Sequence, residues 1–167
     1  MVLKNQSDVD ARDITVNVNI VDRQGTIIAS QSSGAALIPA HATMYNSETV
    51  FTPSRLRPTS VDLRLEVGET GTGGKRPTTT GVRFTHNDQY FTVTGVLKND
   101  LDHSVNGVVS AVLFDRSNNI IGSNVGGTEA DTLPPGRKSL FTVDFIRVGV
   151  DPSRVAYVRV TPSAAEG

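Results

Sequence analysis

The chain has 167 residues, a formal net charge of -1, and neither cysteine nor tryptophan. Its 16 basic and 17 acidic residues are mixed along the chain, leaving no basic stripe for a phosphate backbone, which argues against nucleic acid as a partner. Without cysteine there are no disulfides, thiolate metal sites or cysteine nucleophiles, and without tryptophan there is no antibody-type core.

The length fits one domain or two small ones. No apolar run approaches the roughly 18 residues that a membrane helix needs. The opening "MVLKNQSDVDARD" has no apolar stretch of the signal-peptide kind. Fifteen glycines, eight prolines and many Thr, Val and Ser residues point to an all-β chain with frequent turns.

"VLKN" at Val2 to Asn5 reads as the end of a strand. Ile14, Val16, Val18 and Ile20 then alternate with Thr15, Asn17 and Asn19, the period-two pattern of a half-buried strand. "DRQGTI" is a polar hairpin turn, and "LIPAHATMY" a proline turn between strands. Val61, Leu63 and Leu65 alternate with Asp62, Arg64 and Glu66 in a further strand. "GETGTGGKRPTTTG" (Gly68 to Gly81) lacks apolar periodicity and reads as a linker.

The pattern then begins again. "YFTVTGVLKND" repeats "VLKN", and "GVVSAVLFDRSNNIIGS" (Gly107 to Ser123) aligns with "ITVNVNIVDRQGTIIAS" (Ile14 to Ser30). "TLPPGRKSL" meets "LIPAHATMY", and "VAYVRVTP" meets "SVDLRLEV", at an offset of about 94 residues. Phe91, Val93 and Leu97, then Val109, Ala111 and Leu113, Phe141, Val143 and Phe145, and Ala156, Val158 and Val160 form the inward face.

No window carries helical periodicity. The expected architecture is therefore all-β, two immunoglobulin-like antiparallel β-sandwich modules in tandem. The expected bounds are 1–68 for the first sandwich, 69–81 for a Gly/Thr-rich linker, 82–162 for the second sandwich and 163–167 for a disordered tail. The second module has a leading stretch, Val82 to Gly95, for which the first has no counterpart, a deficit of roughly one and a half strands. An unpaired sheet edge is expected beside Leu3 to Asn5, whether a longer chain or another chain supplies the missing strand or the edge stays open.

"YFTVTGVLKN" (Tyr90 to Asn99), "AVLFD" (Ala111 to Asp115), "NIIGS" (Asn119 to Ser123) and "LPPGRKSLFTVDF" (Leu133 to Phe145) together resemble the FxLYD domain, a bacterial immunoglobulin-like module. The likeness covers nearly all of Val82 to Pro162. The first copy is similar but degraded: "VNIVD" replaces "AVLFD", and His41 stands where Gly136 closes the proline turn. Plant-type stress-protein sandwiches share the "V-x-N" strand ending and compete with this assignment. The resemblance implies an extracellular or cell-envelope location and a non-catalytic spacer or protein-binding role. It brings no catalytic residues and no cofactor.

Candidate chemistry is sparse. Asp8, Asp10 and Asp13 share one inter-strand loop, and Asp100, Asp102 and His103 its counterpart. Clustered carboxylates at a sandwich tip suit calcium, which gives the alternative reading of a calcium-dependent adhesion module, although Asp and Asn are also ordinary turn residues. His41, His86 and His103 are surface histidines by position, and no Gly-x-Ser-x-Gly elbow accompanies them. "GTGGK" has the wrong spacing for a phosphate loop. Lys4 and Lys98 precede asparagines, but neighbours on one strand point to opposite faces and cannot crosslink.

The two copies differ on the outward face of the central strand. It is Thr15, Asn17, Asn19 and Val21 in the first, and Val108, Ser110, Val112 and Phe114 in the second, with Tyr157 beside them. An apolar outward face needs a cover. Flanking side chains, the linker, the first copy, a second chain or a ligand would serve. A protein contact through Val108, Val112, Phe114 and Tyr157, as self-association or with an envelope partner, is the expectation.

Overall fold

The computed structural model describes residues 1–53, 55–86, 90–146 and 151–166, without the side chains of 146 and 164–166. Apart from a 3-10 turn at Pro152–Arg154, the regular structure among the described residues is all strand. The first half holds β1 (Val2–Lys4), β2 (Asp10–Val21), β3 (Ile27–Ile38), β4 (Thr43–Tyr45) and β5 (Ser60–Gly71). The second holds β6 (Thr78–His86), β7 (Tyr90–Lys98), β8 (Val105–Phe114), β9 (Ile120–Leu133), β10 (Lys138–Ile146) and β11 (Tyr157–Glu166). All pairs are antiparallel.

In the first half a three-stranded sheet, β3-β2-β5, faces the two-stranded β1-β4. Ile14, Val16, Val18, Ala35, Ile38 and Met44 are buried between them. The second half is one six-stranded sheet in the order β11-β8-β9-β10-β7-β6, rolled until β6 and β11 approach each other, so it is nearly a barrel. Its interior is Phe91, Val93, Leu97, Val105, Val109, Ala111, Leu113, Leu133, Phe141, Val143 and Phe145. Each half thus buries its own alternating apolar residues.

Local chemistry sets the turns identically in both halves. At β2–β3, Asp22 Oδ1 accepts the Gln24 and Thr26 amides at 2.9 Å each, and Gly25 takes the left-handed conformation at φ 82°. At β8–β9, Asp115 Oδ1 accepts the Ser117 and Asn119 amides at 2.9 Å each, and Asn118 sits at φ 63°. An aspartate closing its own turn explains why both hairpins begin Asp-Arg. A register shift precedes each turn, between Ile20 and Val21 and between Leu113 and Phe114. In the proline turns the Ala42 amide donates to Pro39 O (3.0 Å) and Arg137 to Pro134 O (3.1 Å), with His41 at φ 58° where Gly136 has 72°.

The halves differ at one position where two strands approach closely. Val109 pairs with Gly126, and the corresponding Val16 pairs with Ser33. A Cβ at Gly126 would lie 2.0 Å from Thr142 O, so glycine permits the close approach of β9 to β10 beside the Thr142–Gly127 pair. In the first half Ser33 stands at the matching position, and β3 and β4 lie in separate sheets.

Two boundaries differ from expectation. The 69–81 stretch is not free linker: β5 runs to Gly71, and Thr78–Thr80 already pair with Lys98–Val96. The threonines there are good strand residues once β7 offers an edge. Within the expected tail, residues 163–166 continue β11, with Ser163 opposite Val108 and Glu166 opposite Val105. Gly167 lies outside the described residues.

Candidate functional site

The outward face of β8 is the first candidate. Ser110, Val112 and Phe114 alternate along the strand and are all buried. Their cover is the first half of the same chain. Phe114 stacks on Tyr157 at a centroid distance of 4.9 Å and meets the edge of Tyr45 at 5.8 Å. The Tyr45 amide donates to Thr161 Oγ1 (3.0 Å), Ser47 Oγ to Ser123 Oγ (3.0 Å), and Ser110 Oγ to Asn46 Oδ1 (3.4 Å). Val108 and Tyr157 are half-buried, and Arg159 lies over the Tyr157 ring at 5.2 Å. Phe114 and Val112 are therefore covered within the chain, Phe114 by the first half, while Val108 and Tyr157 keep part of their surface exposed. The aromatic and polar partners of this face, Tyr45, Asn46 and Ser47, come from β4 and the segment after it.

The aspartates of each acidic loop do not converge. Asp8 is exposed and pairs with His41 Nε2 at 2.9 Å. Asp10 is buried, and its carboxylate accepts the Ala40 amide (3.0 Å) and the Gly74 amide (2.6 Å), joining the proline turn to the connection after β5. Those amides, Ala40 first, hold its carboxyl below the ordinary value of 3.8. Asp13 is exposed at φ 47°. Asp100 takes the Lys98 ammonium and, at 2.5 Å, the Thr78 hydroxyl, which lower its pKa in that order. Asp102 pairs with His103 Nδ1 at 3.0 Å, which likewise lowers its pKa. Among the described residues no group of three or more His, Asp or Glu side chains is placed to hold a metal ion.

His41, His86 and His103 are exposed, and among the described residues no hydrogen bond joins a serine hydroxyl to a histidine ring. Lys98, held by Asp100, has its ammonium committed outside the core. A shallow recess beside the β8–β9 turn is bounded by Asp115, Arg116, Ser117, Ser153 and Arg154. Asp115 is engaged there by Asn119 and Arg154. A narrower crevice between the halves runs past Leu37, Met44, Arg76 and Pro162. Burial lowers the Arg76 pKa, and its Nη1 has no hydrogen-bond partner.

Two residues that the sequence reading passed over organise these loops. Asn99 is fully buried: Nδ2 donates to His103 O and Leu133 O at 2.8 Å each, and Oδ1 accepts the Leu101 amide at 2.9 Å. Asn5 does the same in the first half, to Val9 O (2.7 Å) and Ile38 O (3.0 Å), accepting the Ser7 amide at 3.0 Å. The signal was the asparagine that ends both "VLKN" segments.

The second correction concerns β5. Val61, Leu63 and Leu65 have the alternation of a half-buried strand, yet they are 58%, 51% and 52% exposed, and Val67 is 43% exposed. They stand opposite Ile20, Val18, Val16 and Ile14, and so share the core-facing side of the sheet. That part of the sheet is thus only partly covered.

Among the described residues no helix is long and apolar enough to cross a membrane. No family model and no curated protein matches the chain. Among solved structures it is similar to the Amycolatopsis orientalis exo-chitosanase CsxA, at 14% identity and a TM-score of 0.34, over 96% of this chain and 24% of that one. A second structure, of the exo-β-D-glucosaminidase CsxA with a glucosamine-configured castanospermine, gives the same identity and TM-score over 97% and 25%. The chain spans about a quarter of the length of those enzymes, and a likeness this slight carries no functional argument.

Proposed function

We propose that the chain is a tandem of two immunoglobulin-like modules of the FxLYD type, acting as a non-catalytic spacer or protein-binding unit of a bacterial envelope or secreted protein. The observation that carries this reading is the use to which the reactive side chains are put. Asp10, Asp22, Asp115, Asn5 and Asn99 each satisfy backbone groups of a turn or strand end. Asp8, Asp100 and Asp102 pair with a neighbouring His or Lys. Catalysis needs a nucleophile, base and acid converging on one cleft, and these groups are dispersed over loops instead.

Matching locks at both hairpins, both proline turns and both "VLKN" asparagines support the duplication. The contact through Phe114 and Tyr45 supports a fixed arrangement of the two modules, as a spacer requires. Broad ester, peptide and glycoside panels should give no turnover above background, and turnover lost on mutating any of the paired histidines would refute the reading. The calcium-dependent alternative has no favouring geometry, since Asp10 faces two amides. An unchanged melting temperature on exchanging calcium for chelator is expected.

A further inference from the structure

The crevice between the halves has a volume of about 80 Å³ and is walled by Leu37 of β3, Met44 of β4, and Pro162 and Ser163 of β11. Arg76, on the connection from β5 to β6, is the charged side chain at its wall. Arg76 is half-buried, and among the described residues its guanidinium makes neither a hydrogen bond nor an ion pair. Nη1 is closed off from bulk solvent. Burial pushes the Arg76 pKa down, and no opposing carboxylate offsets the shift. A charge withdrawn from water is costly unless a counter-charge and hydrogen bonds replace the lost hydration. Other arginines of the chain have such partners: Arg64 pairs with Asp62, Arg154 with Asp115, and Arg159 lies over the Tyr157 ring.

The connection fixes the Arg76 backbone on both sides. Thr72 O accepts from Arg12 Nη2 (3.3 Å), and the Gly74 amide donates to Asp10 Oδ2 (2.6 Å). An added Cβ at Gly74 would meet the Leu37 methyl carbons at 2.8 Å, so the chain lies directly on the crevice wall there. Pro77 is buried, and Thr78 enters the ladder opposite Lys98. With its backbone held between these anchors, Arg76 needs little further ordering to receive a ligand.

We propose that Arg76 and the crevice it borders form a binding site for a small aliphatic carboxylate. The planar guanidinium matches the two oxygens of a carboxylate, and Leu37, Met44 and Pro162 offer apolar surface to a short carbon chain. The Ser163 hydroxyl is a further polar group on the wall. The volume is about half of the roughly 150 Å³ that accommodates benzene, which limits the ligand to about two or three carbons, as in acetate or propionate. Phosphate and sulfate suit the site less, because a strongly hydrated oxyanion loses more water than one guanidinium replaces. A free short-chain acid and the glutamate side chain of a peptide carry the same chemistry. The walls come from both halves, so the bound ligand joins them and raises the stability of the chain. This site goes beyond the spacer or protein-binding reading and stands or falls separately from it.

The test titrates the nitrogen-15-labelled full chain with sodium propionate at neutral pH, with sodium chloride keeping the ionic strength constant. The Arg76 Nε–H resonance and the Leu37 and Ser163 amides should shift along one saturable curve. The melting temperature should rise with the same concentration dependence. Glutamate blocked as its N-acetyl α-amide is the second arm: binding at least as tight as propionate identifies a peptide side chain as the source, and weaker binding a free acid. Arg76→Lys keeps the charge without the fork and should weaken binding at least fivefold. Arg76→Met should abolish binding, and in chloride alone it should melt no lower than the wild type, since the unpaired charge is gone. Shifts that do not saturate, that chloride or phosphate reproduces at equal concentration, or that persist in Arg76→Met overturn the proposal. So does an Arg76→Met chain that melts lower while Arg76→Lys restores stability and binds propionate no more weakly than the wild type, because any cation would then serve and the fork would have no part.

Discussion

Replacing Asn99 by alanine should destabilise the second half more than any exposed loop change of similar size. The side chain makes three hydrogen bonds of 2.8 to 2.9 Å, two of them to main-chain carbonyls on either side of the loop. Each contributes about 0.5–1.5 kcal/mol net, and a buried group left without a partner costs about 1–3 kcal/mol. Asn99 and Leu133 are both buried, so water does not replace the lost bonds. The expected loss is therefore about 3–4 kcal/mol, or roughly 10 °C in melting temperature for a chain of this size. Asn5→Ala removes the corresponding bonds at a half-exposed site, where water reaches the freed groups, and should cost about half as much. Urea denaturation of both variants measures the two losses. A loss below about 1 kcal/mol for Asn99→Ala would refute the assignment of this asparagine as the lock of the strand end.

Other outcomes follow from the same structure. Phe114→Ala should cost about 3–5 kcal/mol as a large-to-small change at a buried site, and a double-mutant cycle with Tyr45→Ala should return a coupling of about 0.5–1.5 kcal/mol; zero coupling would contradict the contact between the halves. Gly126→Ala places a methyl against Thr142 O and should lower stability by about 1–3 kcal/mol or more, whereas Gly25→Ala meets no atom within 4 Å and suffers only from its left-handed φ. Asp10, Asp100, Asp102 and Asp115 all have folded pKa values below 3.8. Their contribution to stability is fully present above the unfolded value and is lost as pH falls through the folded values, so the melting temperature should drop below about pH 4. Asp10→Asn should flatten that acid limb, and an unchanged acid profile would count against the two amide contacts.

Alternation of side chains made most of the strands legible, because a strand's period of two is set by the backbone. The turns were legible too: Asp22, Asp115 and the prolines act locally, within a few residues of their own position. What alternation cannot report is whether a face has a cover. Val61, Leu63 and Leu65 carry the same pattern as Val158 and Val160, and only the presence of β6 and β7 over one row separates them. The apolar outward face of β8 was recognisable as needing a cover, but its partners Tyr45, Asn46 and Ser47 lie in a short strand and an irregular segment with no pattern to mark them. Thr78–Thr80 read as linker because threonine suits strand and loop alike until an edge is available. Asp10 looked like a calcium ligand from its neighbours Asp8 and Asp13. Its burial against the Ala40 and Gly74 amides joins positions far apart in the chain, beyond the reach of local spacing.

The central claim is that the core-facing row of β5 stays largely exposed while the matching row of β11 packs on a core. Because the chain lacks cysteine, Leu63→Cys and Val160→Cys each introduce a single thiol at counterpart positions, and their reaction rates with a soluble disulfide reagent compare the two rows directly. The account predicts that the thiol at position 63 reacts at close to the rate of the unfolded chain and the one at 160 at least tenfold more slowly. Equal protection at both positions would contradict it.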